Sequence, residues 1–214
     1  MKKQRNNVFI ISAPSGSGKT TLIDLLLNQK PSLMFSISHT TRPARTGERD
    51  GVEYFFVSEK KFEQMIREDQ FLEWAEVHGH YYGTSRETLI DAEKNHRDVI
   101  LDIDVQGAAQ VRQKMPEAIS IFILPPSYER LKTRLLSRQK DSTEVMLKRL
   151  DNARKEIRRY SEFDYIIIND DLQSALVSLS SIITSSNSLK EKQIDRIEAI
   201  LKSFEDAEKQ DNSN

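Results

Sequence analysis

Apolar residues are arranged along the chain in two ways. Four short runs are continuous: Val8–Ser12, residues 99–103, Ile119–Leu124 and Tyr165–Ile168. Successive side chains of a strand point to opposite sides, so an unbroken, β-branched run predicts a strand buried on both faces. The stretches after Gly18, Gln106, Ser127 and Asp171 instead space their apolar positions at the helical period. Strand and helix patterns alternate, which predicts an α/β fold: a three-layer core with a parallel sheet between helices. Ligands of such sheets bind beyond the carboxyl ends of the strands.

A long segment separates the first two runs, and its texture differs. Residues 36–82 are rich in Ser, Thr, Arg, Gly, Glu and aromatics, with short strand-like pieces such as Tyr54-Phe55-Phe56-Val57. It reads as an inserted lobe over residues 36–96, closing with a helix near 87–95. A polar segment, 137–144, interrupts two helical patterns and reads as a mobile flap within a lid over 134–150. Residues 1–35, 97–133 and 151–188 remain as the core, and 189–214 as a charged C-terminal helix or tail. There Ile194, Ile197, Leu201 and Phe204 recur at helical spacing. Docking on the core or on another copy of the chain would cover that stripe. Lys, Glu and Asp are mixed on its polar face, which argues against a membrane-surface helix.

Composition narrows the classes further. With 214 residues, 37% hydrophobic and 30% charged, the chain can bury a sizeable globular core. A net charge of −1 gives no general reason to bind nucleic acid or acidic membrane. The absence of cysteine excludes disulfides and thiolate catalysis and fits a reducing compartment. The basic start, Met1-Lys2-Lys3-Gln4-Arg5, precedes an apolar run too short for a secretory signal, and no stretch has transmembrane length. The expectation is a cytoplasmic protein, with neither nucleic acid nor membrane as partner.

The densest chemistry lies in Val8-Phe9-Ile10-Ile11-Ser12-Ala13-Pro14-Ser15-Gly16-Ser17-Gly18-Lys19-Thr20-Thr21-Leu22. Strand, small-residue loop and helix start follow in the order a phosphate-binding loop requires. Gly16 and Gly18 let backbone N–H groups converge on a polyphosphate, and the helix dipole adds positive potential. Lys19 brings a full charge to the β/γ-phosphates, and the Thr20 hydroxyl is a ligand for Mg²⁺. The GxxxxGK[ST] pattern departs at its first position, where Ala13 stands. Ala13 serves if that turn needs no positive φ. The plainer alternative is a Gly/Ser loop that only joins strand to helix.

Three further constellations stand out. The apolar run 99–103 ends in Asp102, with Asp104 two residues on, and strand geometry would point both carboxylates to one side. Metal at one and nucleotide N–H groups at the other would relieve their repulsion; two solvated acids are the alternative. The loop 36–48 holds Ser38, Arg42 and Arg45, hydroxyl and guanidinium donors of the kind that grip phosphate. Glu73, in Phe71-Leu72-Glu73-Trp74, can accept both N1–H and the N2 amine of guanine, a donor pair that adenine lacks, while Ser38 donates to O6. Tyr54, Tyr81 and Tyr82 either pack in the core or meet base and phosphate. Arg134, Arg138 and Arg149 flank the flap and would surround a transferring phosphoryl group, or else line a solvated helix. His78 and His80 alternate on one stretch, but no third ligand is spaced to complete a metal site.

Together these segments resemble the guanylate kinases. The resemblance runs from about Val8 to about Ser185 and includes SAPSGSGKTTL, SISHTTRPARTGERDGVEYFFV, FLEWAEVHGHYYGTS, VILDIDVQGA, LPPS and IINDDL. It implies a P-loop core, an inserted GMP-binding lobe and a lid, with ATP and GMP as substrates and Mg²⁺ as cofactor. It implies a GMP pocket of Ser38, Arg42, Arg45, Glu48, Tyr54, Glu73, Tyr82, Thr84 and Asp104. Of these, Arg42, Arg45, Tyr54 and Tyr82 would hold the phosphate, and Ser38, Glu73, Thr84 and Asp104 would read or support the base. ATP would lie on Ala13, Pro14, Ser15, Gly16, Ser17, Gly18, Lys19, Thr20 and Thr21, with Asn169 near the adenine. Lys19, Arg134, Arg138 and Arg149 would be catalytic, Thr20 would ligate the metal and Asp102 would sit in its outer shell. The extension past Ser186 has no clear counterpart in the short family pattern; the expectation is a monomer or a homo-oligomer, the latter through the C-terminal helix. Some relatives keep the fold, lose the chemistry and bind phosphorylated protein segments. The lysine, acids and arginines of catalysis are all present, and no interaction domain is expected before the core, which favours the enzyme.

Overall fold

The computed structural model describes residues 6–77, 79–136 and 143–211. The chain begins β1 (Val8–Ser12), α1 (Lys19–Gln29), β2 (Met34–Phe35), β3 (His39–Thr40), β4 (Phe55–Phe56) and α2 (Glu59–Arg67). It continues through β5 (Phe71–Val77), β6 (His80–Ser85), α3 (Glu87–Lys94), β7 (Val99–Asp102), α4 (Val105–Lys114) and β8 (Ile119–Leu124). Then come α5 (Tyr128–Leu136), α6 (Thr143–Glu156), a 3₁₀ turn (Ile157–Glu162), β9 (Tyr165–Ile168), α7 (Leu172–Ser186) and α8 (Lys190–Asp211).

Strands β2-β7-β1-β8-β9 form one parallel sheet in that order. Its continuous apolar runs have the predicted cause. Val8, Ile10, Val99 and Leu101 turn to one face, against Ala108 and Val111 of α4. Phe9, Ile11, Ile100, Ile121 and Ile167 turn to the other, against Leu22 and Leu26 of α1 and Leu176 and Leu179 of α7. Strands β1, β7 and β8 are covered on both faces, so the α/β reading with three layers holds. At the sheet edge β9 buries only Ile167 and leaves Tyr165, Ile166 and Ile168 exposed, against the expectation of burial on both faces. The four expected strands are present. The fifth, β2, is a two-residue edge pairing with β7, too short to leave a periodic signal. The 99–103 run stops as strand at Asp102, because Asp104 turns to cap α4.

A second sheet, β4-β3-β6-β5, is formed by residues between β2 and β7. One face is covered by α2, where Phe62 stacks on Phe71 at 4.4 Å and on Tyr81 at 5.4 Å. This helix, capped by Ser58 accepting from the Lys61 N–H, adds to the expected elements. The free edge of β5 is closed by α4: Gln110 both donates to the Trp74 carbonyl (2.7 Å) and accepts from its N–H (3.3 Å). The helix expected near 87–95 is α3. Most of the polar flap lies outside the described residues. The apolar stripe of α8 is not docked on the core: Ile194, Ile197, Leu201 and Phe204 are all exposed. Among the described residues no helix is long and apolar enough to cross a membrane.

Candidate active site

The loop between β1 and α1 is shaped by two left-handed glycines, Gly16 at φ 91° and Gly18 at φ 89°. Ala13 has no positive φ and packs its methyl on the core, so the departure from the strict pattern costs no strain. A Cβ on Gly18 would lie 2.5 Å from Asn169 Nδ2, and one on Gly16 2.9 Å from Leu131 and Leu135. Neighbouring elements therefore press on the loop from behind. Asn169 Nδ2 donates to the Ser17 carbonyl at 2.7 Å. Arg134 donates to the same carbonyl at 3.2 Å and to the Asn169 carbonyl at 2.9 Å. Both residues brace the loop.

In front of the loop lies a cavity of about 660 Å³, lined by all of Ala13–Thr20. Thr21, on α1, is exposed and turned away from it. Lys19 Nζ ion-pairs with Asp102 at the end of the adjacent strand and donates to the Ile103 carbonyl at 3.2 Å. Asp102 and Asp104 both line the cavity, but they are not successive same-side residues of one strand. Asp104 is the N-cap of α4, accepting from the N–H groups of Gln106 (3.0 Å) and Gly107 (2.8 Å). Lysine at one and helix amides at the other relieve the repulsion for which the sequence reading invoked metal and nucleotide.

The opposite wall comes from the second sheet and the loop before it. Arg42 makes a two-pronged pair with Glu48, 2.9 Å at each oxygen, and Glu48 also accepts the Arg45 N–H at 2.7 Å. Hydrogen bonding to Glu48 is the main reason that the Arg42 guanidinium is held even more firmly charged than usual, and the pairing lowers Glu48 in turn. Glu48 thus stands behind Arg42 rather than in the cavity, which Ser38, Arg42, Arg45, Tyr54 and Tyr82 line. The Arg42 guanidinium lies 5.5 Å from the centre of the Tyr54 ring, and Tyr82 meets Tyr54 edge-on at 5.8 Å. Burial pushes the Tyr54 phenol up to about 12, so it is a neutral donor. Tyr81 points to the other face, among Phe62 and Trp74.

Glu73 reaches the cavity through a β-bulge. Simple alternation would place Phe71 and Glu73 on one face. The register slips between them, Phe71 opposite Ser85 and Glu73 opposite Thr84. Phe71 therefore packs on α2 while Glu73 joins Ala75 and Val77 in facing the cavity. The carboxyl is 4% exposed, and burial pushes it up to about 7; adjacent Thr84 opposes that rise and Asp104 adds to it. Thr84 is fully buried beside it rather than lining the cavity. Space for the carboxylate is left by Gly107 of α4, where a Cβ would come within 2.3 Å of Glu73 Oε2.

Against this geometry, the family model described as guanylate kinase matches residues 5–186. The chain belongs to the guanylate kinase family. A guanylate kinase of Shewanella violacea is 53% identical over 182 residues, 85% of this chain and 88% of that one. One of Vibrio parahaemolyticus is 47% identical over 199 residues, 92% of this chain and 96% of its own. A match of that extent has to run past Ser186 into α8, so full-length relatives do have a counterpart to part of the extension. The crystal structure of the guanylate kinase from Anaplasma phagocytophilum superposes with a TM-score of 0.73 at 30% identity, covering 91% of this chain and 97% of that one.

Of the residues expected on the phosphate-transfer side, Lys19, Thr20, Asp102 and Arg149 line the cavity, and Arg134 and Asn169 lie behind the loop. Arg138 and His78 lie outside the described residues. His80, Lys148 and Glu156, outside the expected site residues, also line the cavity. Ala75 and Val77 were legible, being two and four residues from Glu73 on one strand face. Glu156 was legible only in relation to Arg149, seven residues earlier and thus two helical turns along the same face.

Proposed function

We propose that the protein transfers the γ-phosphoryl group of ATP to GMP, giving ADP and GDP, with Lys19, Arg138 and Arg149 around the moving group and Arg134 adding its charge from behind the loop. One observation carries the reading: a phosphate loop with its lysine, the buried Glu73 carboxylate and two arginines, Arg42 and Arg45, line the same cavity. Phosphoryl transfer asks a protein mainly for alignment and positive charge. On the acceptor side Arg42 and Arg45, with the neutral phenol of Tyr54 and the hydroxyl of Tyr82, bind the GMP phosphate, and Glu48 keeps Arg42 aimed. Ser38, Glu73, Thr84 and Asp104 serve the base, Glu73 accepting the two adjacent donors of guanine. The attacking phosphate oxygen is already anionic, so no side chain has to remove a proton from it. On the donor side Ala13–Thr21 form the loop that receives the triphosphate, through the backbone N–H groups of its residues other than Pro14 and through the Lys19 ammonium, and Asn169 serves the adenine end.

Mg²⁺ fits the donors that are present: the Thr20 hydroxyl and the Asp102 carboxylate are hard oxygen ligands at the cavity wall. When bound, it neutralises charge on the β- and γ-phosphates. Residues 36–96 act as the acceptor lobe and 134–150 as the lid, on a core of 1–35, 97–133 and 151–188.

The deciding experiment is ADP formation from ATP and Mg²⁺ with GMP, AMP, CMP or UMP as acceptor. Turnover confined to GMP is expected. Turnover with another monophosphate would remove Glu73 as base reader, and GMP binding without turnover would favour a binding module. Two substitutions test the acceptor wall. Glu48→Ala frees Arg42 from a charge-assisted pair and should raise KM for GMP about tenfold with kcat within about threefold, in steady-state kinetics. Gly107→Ala forces the Glu73 carboxylate aside and should raise KM for GMP by about tenfold or more, leaving KM for ATP unchanged.

A further inference from the structure

We propose that Glu156 is a built-in competitor of ATP, its carboxylate occupying the phosphate loop until the γ-phosphate displaces it. The proposal rests on the nucleotide reading above and adds a residue that the reaction itself does not require. Glu156 Oε2 accepts the Ser15 N–H at 3.2 Å. That N–H belongs to the loop whose amides are arrayed for a polyphosphate, so a carboxylate oxygen already takes an anion's place there. Glu156 lines the cavity in front of the loop, together with Lys148 and Arg149 of the same helix.

Arg149 and Glu156 share one face of α6, and both reach Ser15: Arg149 Nε donates to its hydroxyl at 3.1 Å while Glu156 accepts its amide. α6 therefore grips the loop with one cation and one anion. A phosphate entering the loop acts on the two in opposite directions. It attracts Arg149, and it repels Glu156 while taking its hydrogen-bond donor. The phosphate that meets α6 is the one assigned to Arg149, the transferring group, so ATP should feel the competition more than ADP. The other charges on Glu156 come from Lys19 on α1 and Asp104 at the start of α4. Burial is the largest influence and already pushes the carboxyl up, with Asp104 adding to it; the Ser15 amide and Lys19 hold it down. A second negative charge from the nucleotide adds to an ionised form already disfavoured. The same contact ties α6 to the loop when no triphosphate is bound and releases it as the site fills.

The test is calorimetric titration of the intact protein with MgATP and with MgADP, without GMP, for wild type and Glu156→Gln. The amide keeps the size of the side chain and removes its charge. ATP should bind about tenfold tighter to the variant, and ADP within about twofold of wild type. Glu156→Ala, which removes charge and hydrogen bond together, should shift the ATP/ADP ratio in the same direction and serves if the first variant folds poorly. Unchanged or weaker ATP binding overturns the proposal. So does an equal shift for both nucleotides, the mark of a purely structural role. Wild type that binds neither nucleotide overturns the phosphate-loop reading along with it.

Discussion

Lys19→Met should lower kcat for phosphoryl transfer by about a thousandfold or more, with a melting temperature within a few degrees of wild type. Removing one pre-aimed charge from a transferring phosphoryl group typically costs this much, because the compensating positive potential has to be in place before the transition state forms. Lys19 is held for that task by Asp102 and by the Ile103 carbonyl, both at the carboxyl edge of the central sheet. Stability should change by no more than a few degrees, since Asp102, left without its ion pair, is 20% exposed and can be hydrated in place of the lost ammonium. Single-turnover rates and thermal melts check the two halves separately. A variant that turns over at the wild-type rate would remove Lys19 from catalysis.

Glu73→Gln should lower kcat/KM for GMP by about a thousandfold. The amide presents N–H groups to a base edge that also donates, and a site built to accept hydrogen bonds rejects a mismatch of this kind strongly. The same residue predicts a pH signature. Burial raises the carboxyl to about 7 from the ordinary 4.5. Below about 4.5 both folded and unfolded chains hold the proton, and Glu73 contributes nothing to the pH dependence. Between 4.5 and about 7 the unfolded chain releases it first, so stability falls as pH rises, and above 7 the full penalty is present. Glu73→Gln, neutral throughout, should therefore melt a few degrees above wild type at pH 8 and alongside it at pH 4. The base-reading form is the ionised one, so kcat/KM of wild type should rise through pH 7 while the variant's stays flat. Equal melting temperatures at both pH values would show that the carboxyl is not held in a destabilised ionised state.

The two assignments differ in how visible they are from the chain. Lys19 stands inside a contiguous strand-loop-helix signal whose parts are a few residues apart. Glu73 could be picked for its chemistry, but its direction could not. Alternation alone sends Phe71 to the same face, and only the slipped pairing with Ser85 and Thr84 separates the two. The resemblance to guanylate kinases supplied Glu48 and Thr84 as pocket residues, and the structure sets them one layer back, behind Arg42 and beside Glu73. The Asp102/Asp104 pair shows the same limit. Strand periodicity predicts one side for both carboxylates, but the strand ends at Asp102 and Asp104 serves as a helix cap.

What the sequence determined by itself is what short-range physics controls: parallel strands from unbroken apolar runs, a phosphate loop from two glycines before a helix start, and the donor chemistry of each candidate side chain. The exposure of β9, by contrast, followed from its place at the sheet edge. Tertiary structure alone decided the two-residue edge strand β2, the bulge that aims Glu73 and the space that Gly107 leaves for it. It also decided that Glu156 lies on the Ser15 amide, 141 residues away along the chain. Those outcomes depend on which distant surfaces pack together. A buried carboxylate or an orphan amide takes whatever partner the packing brings within hydrogen-bond reach, and no local pattern encodes that choice.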